Sequence, residues 1–353
     1  MPEKDIASLD ANYASATAVG SDWNYVDGFA APAVLEGFPY VSPEGVRCRL
    51  PLAVAKQCSG DGVFPMSMQG AGEVLRFRAA SPRLALRCTF GEVYCASNRS
   101  GSCGFDLYRR SAGRDVLVGN RYVAAGKETL EAEFTGLPAA ETDYVLYFPY
   151  HCRTNTVQIG LAPGGTLRAP TPRRRAGVIT FYGSSITNCA YATRPGMLYP
   201  AIVGRFLDVE THNLGFAGNC RGDLCIADAI AEEKPRALVL EYDHNAPNAE
   251  FLKNTHGVFF RHLRERCPDL PVLMLSRPDF RGTAEDIARR AVVNRTYLDA
   301  LEAGDRNVDF IDGETFFSGN AGLDATGDAC HPSDLGTWIM GRVIADRLLR
   351  LLD

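Results

Sequence analysis

The chain has 353 residues, 46% hydrophobic and 22% charged, with 37 basic side chains against 42 acidic ones and a net charge of −5. These proportions exclude a disordered or fibrous chain, and at about 150 residues per domain the length points to two domains. Acids and bases are mixed along the chain, so no extended basic field exists to hold nucleic acid or an anionic membrane surface.

The opening stretch "MPEKDIASLDANYASA" mixes charges and has no apolar run, so neither a signal peptide nor an anchor is expected. No segment approaches the roughly 20 apolar residues that span a bilayer. The eleven cysteines are irregularly spaced. Cys95 and Cys103 are too far apart for a CxxC pair, no paired CxxC sets exist, and the expectation is reduced thiols in a cytoplasm with no structural zinc.

From about residue 38 to 160, apolar residues come in short bursts such as "GEVLRFRAA", "RLALRCTF", "GFDLYRR", "TLEAEFTGL", "DYVLYFPY" and "TVQIGL". Their period-two character and the Gly, Pro, Asn and Ser turns between them predict an all-β sandwich, jelly-roll-like in type. Residues 162 to 177, "APGGTLRAPTPRRRAG", have the composition of a connector, with Arg173, Arg174 and Arg175 read as solvated. The rhythm then changes. "GVITFYG", "ETHNLGF", "RALVLEYD", "LPVLMLSRP" and "NVDFIDG" read as buried strands. Between and after them, "YPAIVGRFL", "LCIADAIAEEK", "THGVFFRHLRERC", "AEDIARRAVVNRTYLDALEAG" and "LGTWIMGRVIADRLLRLL" read as helices. This alternation predicts an α/β domain, a parallel sheet between two helical layers. The expected division is a sandwich domain at 1–165, a linker at 166–177 and the α/β/α domain at 178–353.

Ligands of such sheets bind at the carboxyl ends of the strands. Those loops hold the parts that acyl transfer at a serine needs. Ser185 follows the first strand through a turn at Gly183 and Ser184, and "DACHPSD" puts Asp328 three residues before His331, a spacing at which the carboxylate reaches Nδ1 and leaves Nε2 for the serine. The Ser185 and Gly218 amides, with the Asn245 side chain, are candidate donors to an oxyanion. Taken singly, each has a plainer reading: a helix cap for Ser185, turn formers for Gly218, Asn245 and Asp328, and a loop imidazole for His331. Their order, one to each strand-end loop, favours the chemical reading. His244, Arg277 and Asp279 lie at the same edge as candidate substrate contacts, a loop salt bridge being the alternative for the last two. His151 and His212 read as structural, and His256 and His262, six apart on one helix, face different ways. Cys189, Cys220 and Cys330 have no base placed as Ser185 does.

"FYGSSIT", "NLGFAGN", "YDHNA" and "DACHPSD" resemble, in order, the four blocks of the SGNH hydrolase superfamily, the GDSL esterases. The resemblance covers residues 177 to 353, and the part before it is similar to the sandwich module of one bacterial subgroup. It implies Ser185, Gly218, Asn245 and His331 as the four signature residues and Asp328 as the triad acid. Two positions depart from the pattern: Ser184 stands where the family has an acid, and Asp243 where its third block has glycine. The α/β-hydrolase pattern GxSxG fails at Thr187.

The reading is a serine esterase that needs no metal or organic cofactor. Its expected partner is a small-molecule or oligosaccharide ester, with O-acetyl groups on carbohydrate as the implied target. An acyltransferase using the same residues and a non-catalytic carbohydrate-binding protein are the alternatives. Tyr108, Tyr147 and Tyr150 would suit sugar stacking but read as core at their strand spacing.

Overall fold

The computed structural model describes Gly20 and residues 22–93, 98–319 and 321–352, so Cys95 lies outside the described residues. The chain begins with strands β1 (Asn24–Asp27) and β2 (Val34–Glu36). It then forms a small hairpin, β3 (Tyr40–Val41) with β4 (Arg47–Cys48), and two single-turn helices, α1 (Leu52–Ala55) and α2 (Val63–Met66). Next come β5 (Val74–Ala80), β6 (Leu84–Phe90), a short turn of helix α3 (Arg99–Ser102), β7 (Gly104–Ser111), β8 (Arg114–Tyr122), β9 (Thr129–Phe134), β10 (Thr142–Tyr147), β11 (Thr154–Leu161) and β12 (Thr166–Arg168).

These strands make two antiparallel sheets, in orders β1-β11-β6-β9 and β12-β5-β10-β7-β8, with β2 also on β5. Their inner faces close on one core of Leu75, Phe77, Leu84, Leu86, Phe105, Leu146, Val157 and Ile159. Tyr108, Tyr147 and Tyr150 are buried, the first two edge-on at 5.4 Å between ring centroids. The sandwich therefore takes them as core. β8 has no clean alternation of buried and exposed positions, and no burst in the sequence marks it.

From residue 173 on, β13 (Val178–Gly183), α4 (Ser185–Asn188), α5 (Tyr199–Leu207), β14 (Glu210–Gly215), α6 (Leu224–Glu233), β15 (Ala237–Glu241) and α7 (Ala249–Arg266) follow. The chain ends with β16 (Val272–Leu275), α8 (Ala284–Glu302), β17 (Val308–Ile311), α9 (Glu314–Phe317) and α10 (Asp334–Leu352). The five strands form one parallel sheet in the order β14-β13-β15-β16-β17. α5 and α10 cover one face, where Tyr199, Val203, Met340 and Ile344 meet Phe181 and Val239. α6, α7 and α8 cover the other, where Ile226, Ile230, Phe259 and Val293 meet Tyr182 and Leu240. The strand order reverses at β13, and a reversal point opens a crevice beyond the carboxyl ends of the strands. Among the described residues no helix is long and apolar enough to cross a membrane.

The division of the chain differs from the expected one. Residues through Glu36 and 73–172 form one unit, while Gly37–Gly72 join Arg173–Asp353 in the other. The reason is burial: Leu50, Ala55 and Val63 belong to the core on the α6 face, and the fully buried Arg49 donates to Asn213 O (2.7 Å), Gly215 O (2.9 Å), Met66 O (2.7 Å) and Asn188 Oδ1 (3.2 Å). Thr166–Arg168 is strand and not linker, pairing with β5. The arginine triplet is not free in solvent either. Arg173 and Arg174 pair with Asp208, and Arg175 donates to Leu207 O at 3.1 Å, so all three hold the carboxyl end of α5, where cations are favoured.

Candidate active site

β13 is buried throughout its carboxyl half, and the chain turns sharply at its end. A Cβ on Gly183 would lie 2.0 Å from Thr187 Oγ1 and 2.4 Å from Glu241 O, so a side chain is excluded there. Ser184 is the N-cap of α4, its Oγ accepting from Ile186 N at 3.1 Å. The capping role that competes for Ser185 is thus taken by its neighbour. Ser185 is the one residue of the run 179–190 that is not buried.

Ser185 Oγ lies 2.8 Å from His331 Nε2, and His331 Nδ1 lies 2.7 Å from Asp328 Oδ2. An ionised carboxylate only accepts, so Nδ1 carries the proton and Nε2 is left to accept from the serine. Asp328 Oδ1 also accepts the backbone N–H groups of His331 (2.7 Å) and Cys330 (3.0 Å), in a turn whose Ala329 is left-handed at φ 62°. Burial works against the Asp328 charge, but the N–H groups and the imidazole outweigh it and hold the carboxyl below its ordinary value.

Gly218 and Asn245 stand on the loops either side of the nucleophile strand. In the parallel register Gly183 pairs with Gly215 of β14 and with Glu241 of β15, so the three strands end level. Gly218 has φ 72°, a left-handed conformation natural to glycine, and the space its Cβ would enter is open. Asn245 Oδ1 accepts from Cys220 N at 3.2 Å, which fixes the amide and reserves Nδ2 as the donor.

His244, Arg277 and Asp279 turn their charges on one another. Arg277 Nε and a terminal nitrogen each donate to one Asp279 oxygen at 2.9 Å, and His244 Nε2 lies 2.9 Å from Asp279 Oδ1. Arg277 also pairs with Asp286 at 3.1 Å, and its N–H donates to Asp243 Oδ2 at 3.0 Å. The partner of His244 is therefore Asp279, brought from the next strand end. Burial opposes protonation of His244, yet Asp279, Cys330 and Asp243 push its pKa up to about 10. His244 and Arg277 hold Asp279 well below the carboxylate range in spite of its burial. Ligand atoms of His244, Asp279 and Cys330 lie within 4.8 Å of one another. Both Asp279 oxygens are taken by a guanidinium and the imidazole is held as a cation, so the trio suits an ion-pair network and not a metal.

The other histidines serve the framework. His212 bridges Glu233 (2.6 Å) and Arg49 O (2.7 Å), and buried His256 meets Thr296 Oγ1 (2.9 Å). His262 meets Asp228 (2.7 Å), and His151 meets Ser102 Oγ (3.0 Å). Burial raises the pKa of Cys189 to about 11 and pushes that of Cys220 up as well.

A model of the GDSL-like lipase/acylhydrolase family matches residues 176–350, and a model of the N-terminus of SGNH-hydrolase-type esterases matches residues 24–167. Residues 176–350 belong to the GDSL-like lipase/acylhydrolase family. A protein of Bacteroides ovatus described as a GDSL-like lipase has the same fold, with a TM-score of 0.82 at 24% identity over 94% of this chain and 98% of that one. The salicylyl-acyltransferase SsfX3 from a tetracycline biosynthetic pathway gives 0.77 at 19% identity, over 94% and 98%. A family two carbohydrate esterase from Clostridium thermocellum gives 0.61 at 18% identity, over 81% and 94%. No curated protein matches the chain.

This GDSL-like hydrolase carries two site features that the sequence did not announce. Glu241, at the end of a continuous apolar strand, bonds the hydroxyls of Ser184 and Thr187 beneath the nucleophile turn. Arg49 reaches the C-terminal end of β14 from more than a hundred residues upstream. Glu241 was legible in principle, as an acid inside an otherwise apolar run; Arg49 has no such signal.

Proposed function

We propose that this GDSL-like hydrolase is a serine esterase acting on short-chain acyl esters, with O-acetyl groups on carbohydrate as the substrate class. The observation that carries the reading is the chain of hydrogen bonds from Ser185 Oγ to His331 Nε2 and from His331 Nδ1 to Asp328, at 2.8 and 2.7 Å. In this mechanism His331 takes the Ser185 proton as Oγ attacks the ester carbonyl. Asp328 keeps the imidazole in the tautomer that accepts at Nε2 and stabilises the imidazolium. The Ser185 and Gly218 amides and Asn245 Nδ2 meet the oxyanion. Collapse sends the His331 proton to the departing alcohol, and water, deprotonated by the same imidazole, releases the acid from Ser185.

The short acyl group follows from the family resemblance, and the carbohydrate assignment draws on the fold shared with the Clostridium thermocellum esterase. The test is a panel of acetylated oligosaccharides together with p-nitrophenyl esters of graded length. Acetate release, with rates that fall as the chain lengthens, is expected; no acetate from any sugar ester overturns the substrate assignment. A second reading, transfer of the acyl group to an alcohol, is favoured by the closer fold match to SsfX3. Ester products that appear only when acceptor alcohols are added would select it.

A further inference from the structure

Glu241 takes no part in the reaction as proposed, yet it lies directly beneath the nucleophile turn and is wholly buried. It ends β15, the strand beside β13, and each of its oxygens is 3.0 Å from Ser184 Oγ. Oε2 also accepts from Thr187 Oγ1 at 2.8 Å and lies 3.3 Å from Ser184 N. Thr187 Oγ1 is in turn 2.7 Å from Tyr199 OH, and Ser184 Oγ already accepts from Ile186 N. Both hydroxyls are thus set to donate to the carboxyl group, a pattern that only its ionised form satisfies fully. One carboxylate therefore ties the residue before Ser185 to the residue two after it, at a position where the chain has serine in place of the family's acid.

We infer that Glu241 is a positioning residue for the nucleophile: its carboxylate fixes Ser184 and Thr187 so that Ser185 Oγ meets His331 Nε2. The inference rests on Ser185 being the nucleophile. The groups facing Glu241 are Ser184 and Thr187 from the turn and α4, Tyr199 from α5, Cys220 from the loop after β14, and Asp243 and His244 beyond its own strand. Burial raises its pKa, with Asp243 adding to the rise and His244 and the hydroxyls opposing it, to about 7. The carboxylate that locks the turn is thus lost on acidification.

Glu241→Gln keeps the size of the side chain but turns an amide NH2 toward these donors. The test compares it with the wild type by phosphorylation of Ser185 with diethyl p-nitrophenyl phosphate, counted per folded molecule, and by kcat/KM from about pH 5.5 to 9. The expected result is a fall of about 10- to 100-fold in both rates with KM within about threefold. The acid limb of log kcat/KM should lose about one unit of limiting slope in the variant, because the protonation of Glu241 is gone. A wild-type rate per folded variant, or an acid limb as steep as that of the wild type, overturns the inference. Absence of label on Ser185 in the wild type overturns the esterase reading instead. Should Glu241→Gln not fold, Thr187→Val removes one donor at nearly constant shape, and an unchanged phosphorylation rate there overturns the inference equally.

Discussion

Replacing Asp328 by asparagine disturbs three hydrogen bonds at once, because one carboxylate accepts from His331 Nδ1, His331 N and Cys330 N. Asparagine offers one oxygen and one NH2. If the oxygen stays with the two backbone N–H groups, the NH2 faces Nδ1, and the imidazole must move its proton to Nε2, where it points at Ser185 Oγ and cannot act as a base. The flipped amide would set a donor against both backbone N–H groups, at about 1–3 kcal/mol for each one left unpaired. The wrong tautomer therefore prevails by about 2 kcal/mol, and the lost carboxylate bond to the imidazolium adds about 2 kcal/mol more. The total, about 4 kcal/mol, is roughly a 1000-fold fall in kcat. Side-chain exposures of 42% for Asp328 and 30% for His331 admit water, which softens the loss toward about 100-fold. The assay is kcat and KM on p-nitrophenyl acetate at about pH 8, beside a thermal melt of the same sample. A fall smaller than about tenfold in a fully folded variant would refute the tautomer argument.

Asn245→Ala should lower kcat about 100- to 1000-fold with KM nearly constant; steady-state kinetics showing a KM effect alone would remove Asn245 from the oxyanion site. Arg49→Met leaves Asn213 O, Gly215 O, Met66 O and Asn188 Oδ1 without their buried donor, and urea unfolding should show a loss of about 3 kcal/mol or more. A loss under about 1 kcal/mol would mean that residues 37–72 are held by apolar packing alone. His244 has a folded pKa raised from 6.5 to about 10, so its contribution to stability is complete below pH 6.5 and is lost as pH rises toward 10. Chemical denaturation across that range should show the wild type losing up to about 1.4 kcal/mol per pH unit beyond any loss in His244→Gln. Parallel curves would show that the His244 and Asp279 pair is not coupled to folding.

The parallel sheet was readable because its strands are buried on both faces, so "VITFYG" and "ALVLE" stand as mostly apolar runs between helical periods. Ser185, His331 and Asp328 were readable because each follows a strand end or a three-residue spacing that chemistry demands. What the sequence hid was long-range. Nothing in "RCRLPLAVAKQ" indicates that Arg49 crosses to β14, because the burial that decides it is made by residues lying 164 and 166 positions later. The pairing of His244 with Asp279 was hidden for the same reason, since two loops meet only once β15 and β16 are in register. α7 begins at Ala249, ahead of the apolar pattern, because its first turn is set by the Asn248 cap and not by periodicity.

The proposed chemistry depends on the Ser185 hydroxyl, 2.8 Å from His331 Nε2, acting as the nucleophile. Turnover of p-nitrophenyl acetate by Ser185→Ala, at equal concentration of folded protein, tests it most directly. Release of nitrophenol no faster than in buffer alone, with the melting temperature retained, is expected, whereas turnover at the wild-type rate in that variant would show that Ser185 is not the nucleophile.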